Sequence, residues 1–199
     1  DVFSGGGRLC TAMRDAGMSC WTYDIRNETD SNGVLTESGL ECLLGLLVRM
    51  RPGALVWLAP PCSSWVWLSR FATGRTRDKP AGFVELQSIQ SANAIAEVVA
   101  KIARVCAAID VRWVMEQPHS SLLWRYPPIA AVLRRPRTCR VSLDLGRTGA
   151  TSVKPVTLYG TPPWLGDMAA EIARIPLPLP LTPLTLSLIH ISEPTRRAI

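Results

Sequence analysis

Residues 58–70 read LAPPCSSWVWLSR. A short apolar run ends in two prolines, which cannot continue a central strand. Cys62 therefore stands on a stiff shelf just past a strand end, ahead of Trp65 and Trp67. A thiol presented in this way suits nucleophilic catalysis, in which the thiolate is the reacting species. The alternative is a thiol that fills space beside the tryptophans. Glu116, in WVMEQP, follows Trp113, Val114 and Met115, so its backbone is expected to be buried. A carboxylate there needs a partner: a helix N-terminus or an arginine of the protein, or a reacting group. DVFSGGG, with Phe3, Gly5 and Gly7, is a glycine turn opening a helix. Its backbone N–H groups can hold a carboxylate or phosphate. Asp24 closes the next apolar run, where an acid can accept both hydroxyls of a ribose, and Ile25 beside it offers an apolar contact to an adenine. Read as ordinary structure, the same residues are a strand-to-helix turn and a loop carboxylate or helix cap.

These positions matter only if the fold brings them together. Apolar runs predict strands over 1–3, 18–23, 54–58, 111–115, 139–145 and 156–159. Helical spacing predicts helices over 8–16, 37–50, 83–109, 120–124, 129–133 and 164–174. Such alternation predicts an α/β fold, a mostly parallel sheet with helices on both faces. Ligands of such sheets bind outside the carboxyl ends of the strands. Gly5 and Gly7 follow the first strand, Asp24 ends the second, Cys62 follows the third and Glu116 ends the fourth. Residues 69–82 are polar, basic and glycine-containing, and read as a mobile loop.

The chain of 199 residues is long enough for one domain with a real core. Its formal net charge of +6 permits an anionic partner such as nucleic acid without requiring one. The six cysteines include no C-x-x-C pair, so no metal site is predicted. Cys10, Cys20, Cys42, Cys106 and Cys139 sit in apolar periodic contexts and read as small buried hydrophobes, which fits an intracellular, reducing setting. No stretch approaches the roughly 20 apolar residues of a membrane span, and no signal peptide is visible.

Together these segments carry a resemblance. DVFSGGGRLCTAMRDAG resembles the first motif of the C5-cytosine DNA methyltransferases, APPCSSW their Pro-Cys nucleophile motif, and WVMEQP their Glu-Asn-Val or, in phage-like members, Glu-Asn-Pro. KPVTLYG is similar to a late segment of the phage-like branch. The resemblance spans residues 1 to about 165. It implies a Rossmann-like fold with S-adenosylmethionine as cofactor, lined by Phe3, Gly5 and Gly7, with Asp24 on the ribose and Ile25 on the adenine. It implies Cys62 as the nucleophile toward C6 of a flipped cytosine, Pro61 as the residue fixing its loop, and Glu116 as the hydrogen-bonding partner of the base. Arg70, Arg75, Arg77 and Lys79 would contact DNA phosphates.

The sequence departs from the family at several points. Gln117-Pro118 replaces Asn-Val, no Gln-x-Arg-x-Arg segment is found, with Lys154 the nearest basic residue, and no target-recognition segment follows Cys139. Two other readings therefore stand beside the DNA methyltransferase: a degenerate, noncatalytic domain of a larger mobile-element polypeptide, and a methyltransferase for RNA or a small molecule. The expected organisation is an incomplete catalytic domain over 1–174, a Pro- and Leu-rich linker over 175–185, and a non-native tail over 186–199, in which LSLIHISEPTR resembles the translation of a sequencing adapter. Both ends are expected to be cut, and a monomer is the expected state.

Overall fold

The computed structural model describes residues 1–24, 33–148 and 154–176. Ile25, most of the linker and the whole of 186–199 lie outside the described residues.

The apolar runs form a four-stranded sheet. Its strands are β1 (Leu55–Leu58), β2 (Arg112–Pro118), β3 (Cys139–Asp144) and β4 (Pro155–Gly160), in spatial order β1-β2-β4-β3. β1 and β2 are parallel, with Leu58 opposite Met115. β4 is antiparallel to both β2 and β3. The expectation of a mostly parallel sheet is thus corrected: one ladder is parallel and two are antiparallel. The link between Asp144 and Pro155 is too short for the crossover helix that a parallel β3–β4 pair would need. Because β4 opposes both neighbours, β3 points the same way as β1 and β2.

The expected strands at 1–3 and 18–23 are reduced to single bridges. Val2 bridges Leu58 on one side and Tyr23 on the other, both parallel. Val2 N–H donates to Trp57 C=O at 2.8 Å, and Phe3 N–H to Tyr23 C=O at 2.8 Å. Tyr23, Val2, Leu58 and Met115 consequently occupy one row across the sheet.

The helices are α1 (Arg8–Asp15), α2 (Glu37–Leu47), α3 (Arg70–Thr73), α4 (Gln87–Ala108), α5 (Pro127–Leu133) and α6 (Leu165–Arg174). Thr36 caps α2, its hydroxyl accepting from Gly39 N–H at 3.1 Å. Two prolines open α5, where their missing N–H groups cost nothing. Alternation along β2 sends Trp113 and Met115 to a large core shared with α2, α4 and α5. Val114 faces a second core with Leu143, Val156 and Leu158. α6 covers this one with Leu165, Met168, Ala169 and Ile172, a helical stripe. Helices therefore lie on both faces of the sheet.

The cysteine expectation holds only in part. Cys106 is fully buried, Cys42 is exposed, and Cys139 is half-buried. Cys10 and Cys20 are joined by a disulfide, with Cα atoms 5.4 Å apart. Among the described residues no helix is long and apolar enough to cross a membrane, and no group of three or more His, Cys, Asp or Glu side chains could hold a metal ion.

Leu158 is buried where β4 meets both β2 and α6. Leu158→Ala is expected to lower stability by about 2–5 kcal/mol in urea unfolding, while the exposed Val48→Ala stays within about 0.5 kcal/mol. Equal effects would contradict the layered core.

Candidate functional site

One residue beyond the row of Tyr23, Val2, Leu58 and Met115 stand Asp24, Phe3, Ala59 and Glu116. Ala59 and Glu116 follow the rung Leu58–Met115, and Phe3 and Asp24 follow the bridge Val2–Tyr23. Phe3, Ala59 and Glu116, with Ser4, Gly6 and Arg8, line a cleft of about 200 Å³. Asp24 is buried beside it, and its Oδ2 accepts Gly5 N–H at 2.7 Å. The turn that makes this contact is left-handed at Phe3 (φ 63°), Gly5 (φ 56°) and Gly7 (φ 65°). Glycine takes that conformation freely; Phe3 does so at a cost on the order of 1–3 kcal/mol. Gly7 then starts α1, whose first turn has no side-chain cap and no acidic residue. Its amide groups face outward with the positive end of the helix dipole. Ser4 Oγ is buried and has no hydrogen-bond partner among the described residues.

Glu116 lies inside β2 and not at its end, since β2 continues to Pro118. It is still the first residue past the last parallel rung, Leu58 to Met115. Its neighbour Gln117 points to the opposite face and is buried. Gln117 Nε2 donates to Pro60 C=O at 2.5 Å, and its Oε1 accepts from Ser121 Oγ at 3.0 Å. A side chain on β2 thereby holds the proline shelf that follows β1. Ala59 N–H, donating to Val2 C=O at 3.2 Å, ties the base of the shelf to the glycine-turn strand. Cys62 closes it, accepting Trp65 N–H on its carbonyl at 2.8 Å. Pro60 is buried, Pro61 exposed and Cys62 half-buried.

The two tryptophans behave differently. Trp65 is buried under the shelf and its ring stacks on the Arg75 guanidinium, 3.4 Å from Cζ to centroid. Trp67 is exposed. Arg75 is itself fully buried, which corrects its expected role at a phosphate. Its guanidinium donates to Asn93 Oδ1 at 2.8 Å, to Pro80 C=O at 2.5 Å and to Ser64 Oγ at 3.4 Å. Burial lowers its pKa to about 10. These bonds pin residues 69–82, which were expected to be mobile. Gly82 (φ 70°) seals the segment, because an added Cβ would meet Thr73 backbone and the Arg75 side chain. Of the other predicted phosphate contacts, Arg77 and Lys79 are exposed and Arg70 is half-buried.

Cys62 is not among the residues lining the cleft, but it interacts electrostatically with Glu116 and with Lys154. Burial pushes the Cys62 thiol above its ordinary value; the Lys154 charge pulls it down, and the Glu116 charge pushes it up. Cys106, by contrast, is pushed up to about 12 by burial in the core. Three contributors were not legible as such: Ser4, Gln117 and Lys154. Gln117 carries a weak signal, a polar residue next to an acid inside an apolar strand. Lys154 was marked only as the basic residue nearest to a missing motif; its approach to Cys62 has no signal, since only pairing brings the start of β4 toward the shelf. A larger, open depression of about 460 Å³ lies between Arg14 and Trp21. Arg14 there is bonded to Cys20 C=O at 2.6 Å, and none of the predicted site residues lines it.

No protein-family model matches the chain, and no curated protein matches it.

The pKa directions give a test. With Cys42→Ser as background, the pH midpoint of Cys62 alkylation by iodoacetamide, read by peptide mass spectrometry, is expected to fall in Glu116→Gln. It is expected to rise in Lys154→Met. Midpoints that do not move would show that neither charge reaches the sulfur.

Proposed function

We propose that this chain is the catalytic part of a DNA cytosine-C5 methyltransferase on a Rossmann-like, S-adenosylmethionine-binding fold. The observation that carries the reading is the alignment of Asp24, Phe3, Ala59 and Glu116 one residue past a single row of the sheet. That row puts a glycine turn, an acid and a cysteine shelf past the ends of neighbouring parallel segments, and a second acid just past the last parallel rung, near where ligands of α/β sheets bind. Three of the sequence motifs that resemble the family fall on the glycine turn, the cysteine shelf and the second acid.

The residues present fit the cofactor. Ser4 Oγ and the uncapped N–H groups of α1 suit its carboxylate. Asp24 suits the ribose, and the cleft matches a group the size of the cofactor's amino-acid end. When bound, S-adenosylmethionine supplies an electrophilic methyl group. The protein does the rest. Gln117 and Pro61 hold the shelf so that the Cys62 sulfur is fixed before substrate arrives. Lys154 favours the thiolate, which adds to C6 of a cytosine flipped out of its duplex. Glu116 hydrogen-bonds N3 and the exocyclic amine, stabilising the charge that the addition pushes into the ring and making C5 nucleophilic. After C5 is methylated, loss of its proton breaks the C6–S bond and returns the thiol.

DNA carrying 5-fluorocytosine stops the cycle at the covalent stage, because C5 then has no proton to lose. With S-adenosylmethionine present, the chain is expected to form a denaturation-resistant protein–DNA adduct. Cys62→Ser should abolish it and leave cofactor binding intact. An adduct formed equally by Cys62→Ser, or none from protein that binds the cofactor, would overturn the reading. An adduct with 5-fluorocytidine RNA alone would move the substrate to RNA.

A further inference from the structure

We propose that Trp67, Arg70 and Phe71 form a stacking platform for unpaired nucleic-acid bases, immediately beyond the Cys62 shelf. The choice of nucleic acid rests on the reading above; the geometry of the platform does not. Trp67–Ser69 make one 3-10 turn and α3 follows without a break. Ser69 Oγ bonds Val66 C=O at 2.9 Å, and Thr73 Oγ1 bonds Ser69 C=O at 2.9 Å, so both turns are locked. Their apolar side chains nevertheless point outward: Trp67 is 50% exposed, Leu68 59% and Phe71 82%. A patch of this kind marks an interaction site.

The charges on the patch select the partner. The Arg70 guanidinium lies 3.6 Å from the Trp67 ring centroid and 4.7 Å from that of Phe71, so the cation is interleaved with the rings. Phe83, packed against Gly74 at the end of α3, continues the surface, with Lys79 Nζ 5.9 Å from its ring. Between residues 59 and 84 Asp78 is the sole acid, against Arg70, Arg77 and Lys79 outside the buried Arg75. Flat rings alternating with cations suit a partner with π faces and phosphates, which describes bases splayed from a strand. The position fits as well. Flipping a base leaves its neighbours and its former partner unstacked, and the platform is five residues along the chain from the proposed nucleophile. On either side of it in the chain, the buried stack of Trp65 and Arg75 holds the segment and lowers the freedom that binding would otherwise have to freeze.

The test uses the full 199-residue chain without cofactor, so no chemistry intervenes. Fluorescence anisotropy reads its binding to a labelled single-stranded oligonucleotide and to a duplex with one mismatched cytosine. Trp67→Ala and Phe71→Ala are expected to weaken both by about 10-fold or more. Arg70→Lys, which keeps the charge and loses the planar stack, should weaken them less, and Val48→Ala should have no effect. Circular dichroism confirms that each variant is folded. Binding within 2-fold of the parent in both alanine variants overturns the platform. So does a parent that binds neither oligonucleotide, or variants that lose self-association in sedimentation while keeping DNA affinity. If the parent forms the 5-fluorocytosine adduct but the variants bind normally, only the platform falls. If the variants bind weakly but the parent forms no adduct, the platform stands and the methyl-transfer reading falls.

Discussion

Val2 is paired on both sides: its own N–H and C=O bond Trp57 C=O and Ala59 N–H, and its neighbours Phe3 and Asp1 bond the backbone of Tyr23. That double pairing fixes the phase of the whole site. In a pleated sheet a slip of one residue sends every side chain to the opposite face. Were Val2 displaced by one, Phe3 would leave the cleft and the turn at Gly5 would lose Asp24. The same row continues through Leu58 to Met115, so a single register sets where the glycine turn, the shelf and Glu116 stand relative to one another. The parallel ladder of the large core keeps that register, because Val56, Leu58, Trp113 and Met115 are all buried on it.

Alternation along β2 divides the work. Glu116 faces the cleft, and Gln117, one residue on, reaches the underside of the shelf. Gln117 is buried with both ends of its amide engaged, so its removal leaves unpaired groups on two segments at once. Arg75 does the equivalent for the segment after Cys62. Burying a cation is unfavourable unless hydrogen bonds are supplied; Asn93, Pro80 and Ser64 supply them to the two terminal nitrogens while Trp65 covers its face, and Nε is left without a partner among the described residues. A group that sequence places on a solvent loop is thereby the internal strut of that loop. The result is a rigid shelf, which suits the proposed role of Cys62 as a nucleophile held at one angle.

Much of this was readable from residue order. Strong apolar runs marked β1, β3 and β4 within a residue and β2 three residues short at its end, and the helical stripes of α2, α4 and α6 appear where the spacing puts them, α4 starting four residues later. Glycines 5 and 7, Asp24, Cys62 and Glu116 drew notice as residue types unusual at expected strand ends, and the structure places Glu116 inside β2 instead. What escaped depended on pairing. The direction of β4 is set by a short connection and by neighbours far along the chain, which periodicity does not record. Arg75 differs from Arg77 by burial alone, and burial came from Trp65 and Asn93, ten and more residues away. Lys154 approaches Cys62 only once β4 is inserted beside β2. The Cys10–Cys20 disulfide needs the return of the chain at Gly17, which a list of apolar contexts cannot give.

The central claim is that one row of the sheet joins a nucleoside-binding turn to a nucleophilic thiol. A crystal structure of the chain with S-adenosylhomocysteine tests this most directly. The account predicts ribose hydroxyls within hydrogen-bond distance of the Asp24 carboxylate, the amino-acid end against Ser4 and the start of α1, and the sulfur turned toward the gap between Glu116 and Cys62. A ligand seated instead in the depression between Arg14 and Trp21, or a Cys62 sulfur turned to the far face of the sheet from Glu116, would contradict it.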